Sequence, residues 1–433
     1  MKHILLFGAG KSATVLIDYL KTISTENKWN VIVADNDLVA AKLKVGEHDW
    51  VKAVELNITN ETERKHLINQ ADIVISMMPP SLHYLVALDC IEFKKHLLTA
   101  SYVDDRIKKE EATIKNNGLL FLCEMGLDPG IDHMSAMQII HRIKNEGGNI
   151  LSFRSHCGGL VAPESDNNPW HYKISWNPRN VVLAGKAGAV YKENKKIVEK
   201  KYQQLFQHCN EVEIKGLGDL AYYPNRDSLS YIPLYQLEEA ETFVRSTLRY
   251  TSFCEGWKYI VDLKLTDEEK KYQTNGISFH QFFKQYFAEH HVQEILMEAM
   301  KQDGIVIQLK YLGLFDEALI NNGECSVADV LQIMLEKKLV LQKNDKDMIV
   351  MLHEFEYEIK GKQSSIKSSL VVTGDDSLRT AMAKTVGLPL GIAAKLILEG
   401  KIKETGLHIP IIPNIYEPVL AELKNFGIQF IEA

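Results

Sequence analysis

Residues 3–13 read HILLFGAGKSA, and this stretch decides the fold. Ile4 to Phe7 is a short apolar run that ends at Gly8, and a helical pattern follows through TVLIDYLK. Gly8, Gly10 and Ala13 make a GxGxxA pattern between strand and helix. The first glycine permits a tight turn, the second lets the backbone approach a pyrophosphate, and the small third residue lets the helix pack closely. The start of that helix stabilises phosphate charge. Gly8, Gly10, Lys11, Ser12 and Ala13 are therefore the candidate cofactor contacts. A second apolar run, Trp29 to Ala34, ends at Asp35, where a carboxylate can hold the ribose hydroxyls of adenosine. That carboxylate would repel a 2′-phosphate, and ADNDL carries no arginine, so this stretch favours NAD over NADP. Met78 and Pro79 follow the fourth apolar run and stand where they could line the cofactor path.

Further outward, apolar runs at Val51–Leu56, Asp72–Pro80, His96–Tyr102 and Gly118–Cys123 alternate with helical patterns. Such alternation predicts an α/β fold with a parallel sheet of Rossmann type. The pattern changes after about residue 128. ILSFRSHCGG and VEIKGLG read as strands around VAPESDNNPWHYKISWNPRN, a loop rich in Pro, Asn and aromatic residues. Residues 243–341 read as mainly helical, 347–359 and 364–373 as strands, and GDDSLRTAMAKTVGLPLGIAAKLILEG as two helices with a proline break. The last stretch, PNIYEPVLAELKNFGIQFIEA, reads as a helix and a strand able to return to the first sheet.

Candidate chemistry gathers in a few polar segments. Ser101 and Tyr102 follow a strand, where ligands of open parallel sheets bind. CEMGLDPGIDHMSA places Asp128 in a turn, with Asp132 as a helix-capping residue and His133 as the weakest candidate. In SHCGGLVAPE, Cys157 precedes two glycines, although a buried structural thiol is an equally ordinary reading. Asp128, Tyr102 and Cys157 are the side chains suited to proton transfer. Arg226 lies in a tyrosine-rich loop and suits a two-pronged grip on a carboxylate. Arg245 and Arg249 fall on one face of EAETFVRSTLRY, read as helical, where pairing with neighbouring acids would account for them.

The net charge of −7 argues against nucleic acid as a partner. The six cysteines include no pair at metal-ligand spacing, which gives the expectation of no metal and of reduced thiols in a cytoplasmic protein. The reading finds no signal peptide and no apolar stretch approaching membrane-crossing length, hence no membrane association. A homodimer is expected only from the prevalence of two-fold oligomers.

GLDPGIDHMSAMQII, SHCGGLVAPESDNNPWHYKISWNP, YYPNRDS, VRSTLRY, KDMIVMLHEFEY and AMAKTVGLPLGIAAKLILEGKI resemble the saccharopine dehydrogenase family. The likeness is greatest to its L-glutamate-forming branch, which includes the dehydrogenase part of animal aminoadipic semialdehyde synthase. The resemblance implies oxidation of saccharopine, with a nicotinamide cofactor and water, to L-glutamate and 2-aminoadipate 6-semialdehyde. With NAD as the cofactor, lysine degradation is the expected setting. It also implies a dinucleotide-binding region over 1–128 completed by a C-terminal segment over 376–433. A mixed-sheet substrate domain over 129–375, with the helical insertion inside it, lies between them. By the same resemblance Ser101, Asp128, Cys157, Tyr172 and Arg226 mark the substrate pocket, with Tyr102 beside them. The chain departs from the family in reading SHCGG where relatives often have SYCGG, and in the charged AVYKENKKI. The readings set against this one are a carboxynorspermidine dehydrogenase-like enzyme and a non-catalytic NAD-binding regulator.

Overall fold

The computed structural model describes residues 1–433, which divide into two compact units: Met1–Asn149 with Leu370–Ile431, and Ile150–Ser369 with Glu432–Ala433.

The first unit is built on a seven-stranded parallel sheet. Its order is Gly406–His408, Leu120–Leu122, His96–Thr99, Ile73–Ser76, His3–Phe7, Asn30–Asp35 and Val51–Glu55. The central strands are buried almost throughout, as expected of a parallel sheet covered on both faces. Strand order reverses between His3–Phe7 and Ile73–Ser76, the switch point at which such sheets bind ligands beyond their C-terminal strand ends. Asp35 is the last residue of its strand, and Gly8, Met78, Pro79, Ser101 and Tyr102 follow C-terminal strand ends on this edge.

The helix Ala381–Leu398 packs on Thr14–Asn27. Gly387 and Gly391 allow this: a Cβ there would lie 3.0 Å from Leu16 and 2.6 Å from Tyr19 respectively. Two sequence expectations change at this helix. It is one continuous helix with Pro389 inside it, not two segments, because the lost backbone bond is tolerated where packing holds both halves. Its 18 residues are also long and apolar enough to cross a membrane, which the sequence reading had excluded; two thirds of the span is buried within the protein. The helix Ile131–Asn145 packs on Pro413–Leu423, so the first compact unit runs on past residue 128 to residue 149.

The second unit carries a mixed sheet. Its main order is Asn210–Ile214, Gly218–Pro224, Thr242–Arg249, Gly148–Val161, Asp347–Ile359, Lys362–Thr373 and Ile431–Glu432. The terminal strand thus pairs beside Lys362–Thr373, while Gly406–His408 supplies the C-terminal strand of the first sheet. A helical layer, including Thr251–Asp262, Phe279–Glu289, Asp303–Leu312 and Val327–Lys338, shares a core built on Trp170, Trp257 and Phe283.

Residues 242–249 are a strand, not the start of the helical region. They pair in parallel with Gly148–Val161, with Thr247 opposite Cys157. Arginines four apart share a face in a strand as well as in a helix, so their spacing could not separate the two. The β-branched Thr242, Val244 and Thr247 favour the extended form.

Substitution Gly391→Val is expected to destabilise the protein by about 1–3 kcal/mol through overpacking against Tyr19, measured as a lower chemical-denaturation midpoint. An unchanged midpoint would show that this helix contact contributes nothing.

Candidate functional site

The glycine loop begins at Gly8, whose φ of +96° and ideal Cβ position 3.0 Å from the Met77 carbonyl oxygen require glycine. Gly10 is exposed, and a Cβ built on it meets nothing within 4 Å, so its backbone lies open to a ligand. Lys11, Ser12 and Ala13 form a single 3-10 turn before the helix Thr14–Asn27, and Ala13 is buried as its packing role demands. Met78 is half-buried and Pro79 exposed beyond the end of Ile73–Ser76. These features fit a nicotinamide dinucleotide: a close-approach glycine, a helix start and a carboxylate at the second strand end are in place.

The Asp35 carboxylate is not a free ribose acceptor. The Ala9 N–H donates to its Oδ2 at 2.6 Å and the Asp37 N–H to its Oδ1 at 2.8 Å. Lys44, on the helix Leu38–Val45, donates from Nζ to the carbonyls of Ala9 at 2.6 Å and Gly10 at 2.5 Å. The glycine loop therefore has an anion on one side of Ala9 and a cation on the other.

Further along the same edge, Ser101 is held from two sides. Its Oγ lies 2.8 Å from Nε2 of the buried His83, whose Nδ1 meets Ser76 Oγ at 2.9 Å. Thr99 Oγ1 lies 3.2 Å from the same Nε2 and accepts the Ser101 N–H. The Ser101 carbonyl accepts from the Glu124 N–H at 3.0 Å. Glu124 is buried, accepts the Val103 N–H through Oε1 and meets His133 Nε2 at 2.8 Å through Oε2. His133 is thus a buried partner of Glu124. Asp132 lies inside the first turn of its helix and accepts the Gly130 N–H at 2.6 Å; the N-cap position is Gly130. Asp128 is half-buried in the turn closed by the Gly126 N–H on Pro129. Met125 bonds Thr99, so the stretch leading to Asp128 runs beside the strand that leads to Ser101 and Tyr102.

In the second unit Arg249 is the organising cation. It is 4% exposed and lies 5.3 Å from the Tyr172 ring centroid and 5.5 Å from that of Phe253. Its guanidinium donates to two backbone carbonyls, Leu248 at 2.8 Å and Gly159 at 3.5 Å, and its Nε has no partner. Cys157, buried and in register with Thr247, faces the same guanidinium. Gly158 is required here, because a Cβ would lie 2.6 Å from the Leu248 carbonyl oxygen. Arg249 is held by backbone carbonyls and ring faces on a strand and not by acids along a helix, and Arg245 stacks 4.4 Å over the Tyr231 ring. The structure therefore brings Cys157 and Tyr172 together about Arg249, while Arg226 is exposed on a two-residue strand beside Ala189–Glu193.

His83, Glu124 and Lys44 were missed in the sequence. Only His83 carried a local hint, opening a helix directly after a strand end in MMPPSLH.

Two family models cover the chain: the saccharopine dehydrogenase NADP binding domain over residues 4–122 and the saccharopine dehydrogenase C-terminal domain over 126–428. The saccharopine dehydrogenase [NADP(+), L-glutamate-forming] of Saccharomyces cerevisiae is 34% identical, over 100% of this chain and 99% of its own length. The alpha-aminoadipic semialdehyde synthase of Arabidopsis thaliana is also 34% identical, over 99% of this chain but 44% of its own length. The apo S. cerevisiae L-Glu-forming enzyme structure superposes with a TM-score of 0.89, covering 100% of this chain and 99% of that one. Homospermidine synthase of Legionella pneumophila, at 10% identity and a TM-score of 0.58, shares the fold alone.

The expectation of NAD over NADP is overturned. Three fungal relatives aligned over 98–99% of their own lengths are named for NADP(+). The Asp35 charge does not stand alone: two backbone N–H groups hold its carboxylate, and Lys44 bonds the carbonyl of the same Ala9. The inference of lysine degradation rested on NAD and goes with it.

Burial pushes the His83 pKa down to about 4 from its ordinary 6.5. A depressed histidine stabilises the fold above the unfolded pKa and loses that contribution as pH falls from 6.5 towards 4. The loss is about 3 kcal/mol at most. His83→Asn should flatten this part of the stability–pH curve in denaturant titrations; an identical slope in the variant would remove His83 as its source.

Proposed function

Because the chain belongs to the saccharopine dehydrogenase family, we propose that it catalyses the L-glutamate-forming reaction of lysine metabolism with NADP. Saccharopine, water and NADP+ give L-glutamate, 2-aminoadipate 6-semialdehyde, NADPH and a proton. The full-length agreement with the yeast enzyme in sequence and fold carries this reading.

The bound cofactor supplies a hydride acceptor, which the side chains of this chain cannot replace. The glycine loop, from Gly8 to Ala13, would hold the pyrophosphate through its backbone N–H groups and the helix start. Arg249 takes a substrate carboxylate. It is an always-charged donor buried against Tyr172 and Phe253, with an Nε that lacks an acceptor inside the protein. Arg226, exposed beside Asp227, is the second carboxylate contact. Ser101, positioned by His83, contributes a hydroxyl to substrate binding. Loss of hydride from the carbon on the semialdehyde side leaves an imine. Water adds to that carbon, and the carbinolamine collapses with departure of the glutamate amine. Each stage moves a proton, and Asp128, Tyr102 and Cys157 are the groups of suitable type. The proposal extends to a cytoplasmic homodimer, which sedimentation as a monomer would remove.

Initial rates with saccharopine and NADP should show NADPH and glutamate forming in equal amount. No turnover with either dinucleotide would reject the reaction. Arg249→Met should raise KM for saccharopine about ten- to hundredfold, the scale of a lost hydrogen bond to a charged group. Arg249→Lys should raise KM less than Arg249→Met does, because lysine keeps the charge but lacks the planar fork. Asp128→Asn should lower kcat and remove one limb of its pH profile; an unchanged profile would leave Asp128 as a binding residue only.

A further inference from the structure

The acid at the end of the second strand is out of place in a site for a 2′-phosphorylated dinucleotide, since it puts a negative charge where the phosphate must come. Lys44 answers this on the same loop. Its Nζ reaches the carbonyls of Ala9 and Gly10, and the N–H of that same Ala9 is held by Asp35. An ammonium has three donors, and these two carbonyls leave one for a ligand. The residue comes from the penultimate position of the helix Leu38–Val45, so its long stem spans from that helix back to the loop. Burial lowers the Lys44 pKa and the Asp35 carboxylate acts against that, which places the two charges in one electrostatic environment. Their formal charges cancel, so an incoming phosphate meets no net repulsion from the pair. Gly10, whose carbonyl Lys44 holds, is also the residue with open space beside it.

We propose that Lys44 is the specificity-determining cation of the cofactor site: it neutralises Asp35, fixes the loop carbonyls and donates to the 2′-phosphate of NADP. This rests on the NADP reading above. It differs from the usual placement of such a cation directly after the second strand, where this chain has Asn36 and Asp37.

The test reads binding, not turnover. Dissociation constants of NADP+ and NAD+ are measured by calorimetry on the whole wild-type chain and on Lys44→Gln, which removes the charge and leaves an amide donor on a shorter stem. The expected result is a fall of tenfold or more in the preference for NADP+ over NAD+. Equal weakening of both dinucleotides, or no change in either, would overturn the proposal and leave Lys44 as a support for the loop. Asp35→Asn gives a second readout that does not depend on the first variant folding. It should increase the preference for NADP+ severalfold, and an unchanged preference would contradict the charge balance. Wild-type protein that binds NAD+ but not NADP+, or neither, would instead sink the cofactor reading itself.

Discussion

The first strand can leave the sheet as it does only because position 8 carries no side chain: Gly8 has φ +96° and the Met77 carbonyl oxygen stands where a Cβ contact would be. Everything on the ligand edge of the first unit is arranged about that turn. The Met77 N–H returns to Phe7 and the Gly8 N–H to Ala34, so the loop is tied to both neighbouring strands before any ligand arrives. The next residue, Ala9, is gripped by Asp35 through its N–H and by Lys44 through its carbonyl. A pyrophosphate cradle of this kind is stiff, and its backbone donors are aimed without the cost of ordering a loop on binding.

The second unit solves a different problem. A guanidinium buried among rings has to be satisfied or compensated. Arg249 uses two backbone carbonyls and the faces of Tyr172 and Phe253, and keeps one nitrogen without an acceptor. Cys157 comes into this group because Gly158 lets the neighbouring strand approach at Leu248.

The legibility of the chain follows from how local each signal is. GxGxxA, the apolar runs of the parallel sheet and the long family strings were all readable, since each is a contiguous pattern. The strand at Thr242–Arg249 was not, because two arginines four residues apart satisfy both periods and the strand is buried on both sides. Lys44 was invisible as a loop ligand because its partners lie more than thirty residues away. The same applies to Glu124, which joins Ser101, Val103 and His133 only once the strands align. Asp35 shows the opposite failure: the motif placed the residue correctly, yet its charge was read in isolation from a neighbour that only folding supplies.

The first unit is discontinuous, with Gly406–His408 completing a sheet begun at His3 and everything from Ile150 to Ser369 lying between. On a ribosome this separates the two units in time. The inserted unit has emerged in all but its final two residues before the helix Ala381–Leu398 exists to cover Thr14–Asn27. Until then Leu16 and Tyr19 have no partner for that face, and the nascent first sheet carries exposed apolar surface for the whole interval. The order of the chain therefore leaves the first unit to be completed last, after the unit inserted into it.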